Sequence, residues 1–96
     1  MYINCIIKNK DIIELFFTTY LKTSIIDLSN KSNIQLDITI DYDNCISSYI
    51  IKYTDIKSNK NIIIKKQKTD FEITKEYFKY IINTDTSKID SLLVYQ

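Results

Sequence analysis

The 96-residue chain contains no glycine, alanine, proline, arginine, histidine or tryptophan. The codons of glycine, alanine, proline and most of those of arginine are rich in G and C. Isoleucine, lysine, asparagine and tyrosine, which are abundant here, have AT-rich codons. The simplest interpretation is a gene from a very AT-rich genome, such as that of a phage, a virus, a mobile element or a low-GC microbe.

These absences exclude several common kinds of functional site. Without histidine the chain lacks the usual proton carrier near neutral pH. Without arginine it cannot hold a phosphate in a bidentate fork, and without glycine it cannot form a glycine-rich phosphate loop. Cys5 and Cys45 have no histidine to activate them, and Ser47 and Ser48 have no neighbouring base. We therefore expect no enzyme, no catalytic residue and no cofactor.

The composition predicts one folded domain. With 45% hydrophobic and 26% charged residues, the 96-residue chain can form one core but not two. The apolar residues are mainly isoleucine and aromatics, which favour pleated sheet over helix. In the absence of glycine, we expect left-handed backbone positions to fall on asparagine.

The N-terminal apolar run is interrupted at Asn4 and ends at Lys8. It is too short for a signal peptide core or a membrane span. We expect a cytoplasmic protein, in the host cell cytoplasm if it is viral, with no membrane partner. In a reducing compartment Cys5 and Cys45 should both be free, and their Ile-rich surroundings predict that both are buried.

The first half of the sequence predicts a strand, a helix and a second strand. The strand covers 2–8. The helix covers 11–22, begins with a capping box from Asp11 to Glu14, and has apolar residues at helical spacing. A polar turn at 29–33 precedes the clearest pattern, an apolar–polar alternation over 34–42 that predicts a strand with one face buried and one in water.

The second half predicts a hairpin and two helices. A turn at 41–44 leads into a strand at 48–56, a connection at 57–60 in which Asn59 takes a positive φ, and a strand at 61–67. A capping box from Thr69 to Glu72 starts a helix that ends near Asn83. A short last helix would begin at 87–90 and carry Leu92 to Val94 onto the body.

The predicted fold class is therefore α+β. An antiparallel meander of three to four strands has helices packed on one face, in the order β-α-β-β-β-α-α, with the first strand and last helix left open. Leu36, Ile38 and Ile40 should face the core against helix residues, which are Phe16, Phe17, Tyr77 and Ile81.

The strand at 48–56 can face either way. One of its rows contains Tyr49 and Tyr53, and the other contains Ile50. Whichever row is buried, the other leaves large apolar groups outside. If the tyrosines point outward, they lie beside the acidic row of Asp37 and Asp41, a mixture typical of protein interfaces. These two carboxylates lie roughly 13 Å apart by strand rise, too far to share a metal ion.

Charge is segregated along the chain although the formal net charge is only +1. Residues 52–68 contain six lysines and one aspartate, a balance of +5, whereas residues 11–51 contain six acids and two lysines, a balance of −4. Lysines near the last strand of the meander allow two interpretations. They either prevent other strands from pairing with an exposed hairpin or contact a polyanion.

We therefore expect a small non-enzymatic protein that binds and inhibits a larger protein stoichiometrically, such as an anti-CRISPR or another anti-defence protein of a phage, or a toxin immunity protein. The expected binding residues on the open sheet face are Asp37, Asp41, Tyr49, Tyr53, Lys57, Lys60, Lys65, Lys66 and Lys68. One alternative is a nucleic-acid-binding module that uses the hairpin at 57–68. A second is an oligomer-forming structural accessory protein; the chain itself should be a monomer or homodimer.

Overall fold

The computed structural model describes residues 1–20, 28–68 and 89–95, together with Glu72, Lys75, Glu76, Phe78 and Lys79. Five strands form one antiparallel sheet: β1 Tyr2–Ile7, β2 Lys31–Asp41, β3 Ile46–Asp55, β4 Lys60–Lys68 and β5 Ser91–Tyr95. Their order across the sheet is β4-β3-β2-β1-β5. The α+β class is confirmed in its coarse form, but the sheet has five strands rather than three or four.

The described part of the connection from β1 to β2 contains three helical segments: α1 Lys10–Leu15, a π-helical turn Phe16–Tyr20 and a 3-10 turn Leu28–Asn30. Asn9 caps α1, because its Oδ1 accepts the backbone N–H groups of Asp11 at 3.0 Å and Ile12 at 3.2 Å. The prediction that Asp11 is the cap was therefore wrong. Asp11 lies in the first turn, where its negative charge interacts favourably with the positive end of the helix dipole.

β2 confirms the alternation that predicted it. From Ile34 to Ile40 every second side chain is buried, and those between are partly buried. The strand starts earlier than predicted, at Lys31, because a β-bulge between Ser32 and Gln35 lets pairing with β3 continue past a break in register. Asn33 in this bulge has φ 53°, a left-handed conformation that asparagine tolerates better than most residues.

An aspartate starts each of the two hairpin turns. The side chains of Asp41 and Asp55 accept backbone N–H groups from the residues two and three positions later, at distances of 2.9 to 3.4 Å. Each loop has four residues, 42–45 and 56–59. The same arrangement thus fixes both connections of the meander without glycine or proline.

The fourth residue of each loop has a positive φ. Asn59 has φ 53°, as predicted, and Cys45 has φ 52°. Cysteine has neither the glycine freedom nor the asparagine side chain that eases this conformation. The expectation that asparagine takes such positions therefore holds at two of the three in the described residues, and Cys45 is the exception.

The predicted second helix is described only in part. Glu72, Lys75, Glu76, Phe78 and Lys79 are helical, and Phe78 is buried in the core. The remaining residues of that prediction lie outside the described residues, including the expected core members Tyr77 and Ile81.

The predicted last helix was wrong. Leu92, Leu93 and Val94 lie in β5, which pairs antiparallel with β1. The physical reason is the free edge of β1, whose backbone N–H and C=O groups need partners that a helix at this position would not supply. Ser87 and Lys88 lie outside the described residues.

The core lies between α1 and one side of the sheet, which we call the core face. Its buried apolar members are Ile3, Cys5, Ile7, Ile12, Ile13, Phe16, Phe17, Ile34, Leu36, Ile38, Ile40, Ile51 and Phe78. The predicted meeting of Phe16 and Phe17 with β2 isoleucines is confirmed. Burial of such side chains supplies most of the stability of a domain of this size.

Replacing Ile38 with aspartate should unfold the domain. Ile38 is fully buried at the middle of β2, so the substitution would place an unpaired charge in the core. The cost should be several kcal/mol, on the order of the whole stability of a small domain. Thermal melting with circular dichroism measures it.

The matched control is Asp37→Asn on the opposite face of the same strand. The new side chain keeps an Oδ1 that can accept the Asn4 amide, so stability should change by no more than about 0.5 kcal/mol. Similar melting temperatures for Ile38→Asp and Asp37→Asn would show that the faces of β2 are reversed.

Replacing Cys45 with asparagine should stabilise the protein by about 1 kcal/mol, because asparagine adopts the left-handed backbone conformation at lower cost. Cys45→Ser is the control, since serine lacks this advantage and should leave stability within about 0.5 kcal/mol of the wild type. Urea denaturation compares the three proteins. Equal stability of the asparagine and serine variants would contradict the argument from backbone strain.

Candidate protein-binding face

The outer face is the side of the sheet opposite α1. Strand register places on it Ser91, Leu93, Tyr2, Asn4, Ile6, Gln35, Asp37, Thr39, Asp41, Ile46, Ser48, Ile50, Lys52, Thr54, Asn61, Ile63, Lys65 and Gln67. Tyr2, Ile63 and Leu93 are 42%, 57% and 48% exposed. Apolar groups therefore meet solvent on both halves of this face.

Asp37 lies at the centre of the outer face, on the middle strand. The Asn4 side-chain amide donates to Asp37 Oδ1 at 2.6 Å and to Thr39 Oγ1 at 2.9 Å. The register neighbours of Asp37 are Ile6 on β1 and Ile50 on β3, both partly buried. The carboxylate is thus held in a fixed orientation between two isoleucines, where it can meet a cationic group of a partner.

Asp41 lies at the end of the same strand, and its carboxylate accepts hydrogen bonds from the hairpin turn. The Asn44 side-chain amide donates to its carboxylate at 2.7 Å, and this bond is the main cause that lowers the pKa of Asp41 below its ordinary value. Backbone N–H groups of Asn44 and Asp43 lower the pKa further. The carboxylate is occupied by the hairpin, and a binding role for it stays a prediction.

Tyr49 and Tyr53 lie on the core face, so the surface predicted to combine them with the acidic row does not form. The Tyr49 ring meets Phe16 and Phe17 edge to face, with centroid distances of 5.9 and 6.0 Å. Burial raises the pKa of Tyr49. The Tyr53 ring lies 4.8 Å below the Lys31 ammonium. Aromatic contacts with Phe16 and Phe17, which follow α1, explain why the Tyr49 row, and not the Ile50 row, faces the core.

Lys65 and Lys66 point to opposite sides of the sheet. Lys65 pairs with Ile50 on the outer face, whereas Lys66 pairs with Tyr49 on the core face, where its side chain remains exposed at the sheet margin. Consecutive residues of a strand must alternate in this way. The structure therefore keeps Lys65 in the predicted surface and removes Lys66 from it.

The other predicted lysines also leave the outer face. Lys57 is exposed in the hairpin turn, and its backbone N–H donates to Asp55. Lys60 pairs with Asp55 and Lys68 pairs with Ser47, both at core-face register positions. Of the nine predicted binding residues, the structure places only Asp37, Asp41 and Lys65 on the outer face.

Sequence reasoning missed Asn4, Ile50, Lys52 and Ile63. In the β3–β4 register Lys52 pairs with Ile63, beside the pair formed by Ile50 and Lys65. Lysines and isoleucines therefore alternate in both directions across this half of the outer face. The sequence did contain a signal for these residues. Once the Tyr49 row faces the core, strand alternation and the four-residue loop place them on the outer face.

The described part of the chain gives little sign of a cofactor site. No three histidine, cysteine, aspartate or glutamate side chains within it come together to hold a metal ion. One open cleft of about 420 Å³ is lined by Lys8, Lys10, Asn33, Ile34 and Gln35. Nor does any helix in the described ranges have the length and apolar character needed to span a membrane.

Comparison with protein-family models, with curated proteins and with solved structures finds no match to this chain.

The two cysteines are free but lie in different surroundings. Cys5 is fully buried in β1, as predicted, whereas Cys45 is exposed in the first hairpin turn, which corrects the expectation that both are buried. Burial raises the pKa of Cys5 to about 12, and the negative charges of Asp37 and Asp90 add to the rise. Cys5 therefore keeps its proton at neutral pH.

We expect stability to fall as the pH rises from about 9 toward 12. The unfolded chain releases the Cys5 proton near its ordinary pKa of 9.0, whereas the folded chain holds the proton until about 12. In this window the folded state binds more protons, so deprotonation favours unfolding, by up to about 1.4 kcal/mol per pH unit for one proton. Urea denaturation at a series of pH values gives the slope.

Cys5→Ala is the control, and the slope between these pH values should decrease in this variant. A thiol reagent should modify Cys45 rapidly and Cys5 only after unfolding. An unchanged slope in Cys5→Ala, or equal labelling of the two thiols in the folded protein, would contradict the assignment.

Proposed function

We propose that this protein binds a larger protein stoichiometrically through the outer face and blocks its activity. One observation carries the proposal. Lys65, Ile50, Asp37 and Ile6 occupy register-matched positions across four neighbouring strands. Charge of one sign, an apolar group, charge of the other sign and a second apolar group thus follow each other in a line across the sheet.

A second pair of residues beside this line repeats the pattern. Ile63 and Lys52 lie next to Lys65 and Ile50 with the order of charge and apolar group reversed. Apolar side chains provide favourable burial when a partner covers them. Charges at fixed positions increase the association rate and reject partners with the wrong charge arrangement. A partner that fits presents acidic groups to the lysines and a basic group to Asp37.

The outer face is also supported by the packing of the fold beneath it. It is the back of a sheet whose other side is packed with buried isoleucines, and the Asn4 amide connects β1 to β2 at its centre. A surface that is ordered in advance loses little conformational entropy on association. It spans five strands, an extent that suits the surface of a folded protein more than a small ligand.

The inhibitory part of the proposal rests on the sequence. Small domains from AT-rich mobile genomes often act by blocking a larger enzyme, as phage anti-defence proteins such as anti-CRISPRs do, or by neutralising a toxin as immunity proteins do. A stoichiometric blocker needs only a binding face and no catalytic groups.

Nucleic-acid binding has weaker support. A polyanion requires several cations on one surface. Strand alternation separates Lys65 from Lys66, and the carboxylate of Asp37 lies at the centre of the outer face. The proposed surface would therefore repel a phosphate backbone at its middle.

Affinity capture with matched baits tests the proposal. Lys65→Glu reverses a charge on the outer face, and Lys66→Glu makes the same change one residue later on the other side. From lysate of the cells in which the gene is expressed, wild type and Lys66→Glu should retain the same protein at a one-to-one ratio. Lys65→Glu and Ile63→Asp should each weaken its binding about tenfold or more, which corresponds to about 1.4 kcal/mol.

The retained protein is then assayed with increasing amounts of the wild-type chain. Its activity should fall linearly until the two are equimolar. Equal retention by all four baits would place the binding surface elsewhere. Loss of the retained material after nuclease treatment would favour the nucleic-acid alternative.

A further inference from the structure

Within the described ranges the sheet ends in two edge strands of opposite character. β4 carries lysines at 60, 65, 66 and 68, whereas β5, Ser91–Tyr95, contains no charged residue. Lysines on an edge strand discourage another strand from pairing with it. β5 lacks this protection.

The backbone of β5 has hydrogen-bonding groups directed at the free edge. The Tyr42 N–H donates to the Met1 carbonyl at 3.0 Å. Because the direction of backbone hydrogen bonds alternates along a strand, the N–H and C=O groups of odd-numbered residues of β1 point to β2, and those of even-numbered residues point to β5. In register, Tyr2, Asn4 and Ile6 pair with Tyr95, Leu93 and Ser91. The N–H and C=O groups of Leu92 and Val94 therefore point away from β1.

The three central side chains of β5 are apolar, and they are accessible on both faces. Leu92, Leu93 and Val94 are 41%, 48% and 53% exposed. Leu92 and Val94 lie on the core face beside the buried Cys5 and Ile3. The apolar layer of the core thus extends to this edge and is only partly covered there.

We propose that β5 pairs antiparallel with β5 of a second copy, about a twofold axis at Leu93. In this register Leu92 faces the partner's Val94, so the residues with outward-directed N–H and C=O groups exchange hydrogen bonds at both ends of the strand. Leu93 faces its own counterpart on the outer face. Two five-stranded sheets join into one continuous sheet.

Charge favours a second copy as the occupant. A twofold axis brings the strand against an identical strand, which is unfavourable for any strand with a net charge. Ser91–Tyr95 meets this condition without a charged group, and the formal net charge of +1 gives little repulsion between whole copies. The β4 edge would instead bring lysines together.

Dimerisation is separate from the proposed inhibitory function. The substitutions that test partner binding, at Ile63 and Lys65, lie on β4, at the opposite edge of the sheet from β5. Failure of one proposal therefore leaves the other intact.

Analytical ultracentrifugation from about 10 µM to 1 mM tests the pairing, a range that covers the affinities expected of a small interface. The wild type should approach the dimer mass as concentration rises. Leu93→Lys and Leu93→Glu should each raise the dissociation constant about tenfold or more, since like charges would face each other across the axis. An equimolar mixture of these two variants should regain the dimer.

Ile63→Lys, an apolar-to-lysine change at a position at least as exposed as Leu93 and on the β4 edge, is the control and should dimerise as the wild type does. Thermal melting establishes that each variant is folded. Three results would overturn the proposal. The first is a wild type that stays monomeric at every concentration, whether or not its β5 pairs with a strand of another protein. The others are a dimer that neither Leu93 substitution weakens, and an equimolar mixture of Leu93→Lys and Leu93→Glu that stays monomeric.

Discussion

The contact of Tyr49 with Phe16 and Phe17 determines how half of the sheet is oriented. The aromatic end of the α1 region lies over β3 and receives Tyr49 edge to face. Because strand side chains alternate, this contact turns Ile50 outward, and the four-residue loop carries the same orientation into β4. The line of charged and apolar groups on the outer face therefore depends on packing that occurs on the other side of the sheet.

This arrangement separates the two tasks of the sheet. The core face provides stability through nearly continuous isoleucine and aromatic burial, and the outer face can carry charge without weakening the core. Asn4 links the two faces. Its neighbours in β1, Ile3 and Cys5, are buried in the core, whereas its own side chain orients Asp37 on the outer face. The proposed binding surface is thus part of the sheet rather than a loop added to it.

The parts that the sequence predicted well are those set by local pattern. β2 alternates strictly, and Asn59 was the residue best suited to its turn. The orientation of β3 was not predictable, because both of its rows contain large apolar groups and only the distant Phe16 decides between them. β5 was missed for two reasons. Leu92 to Val94 are consecutive apolar residues without the periodicity of a strand, and their partner β1 lies at the other end of the chain. In the first turn Asn44 was the better candidate for a left-handed backbone, but its side chain bonds to Asp41 and the next residue takes that conformation.

The lysines of β4 have a consequence for how far the sheet can grow. A protein with two bare sheet edges can add copies at both ends, and repeated addition leads to a fibril. Here one edge carries positive charge at four of its nine positions. In the proposed dimer, strand addition at β5 would therefore stop after one step, because each edge that remains free is a lysine-bearing β4.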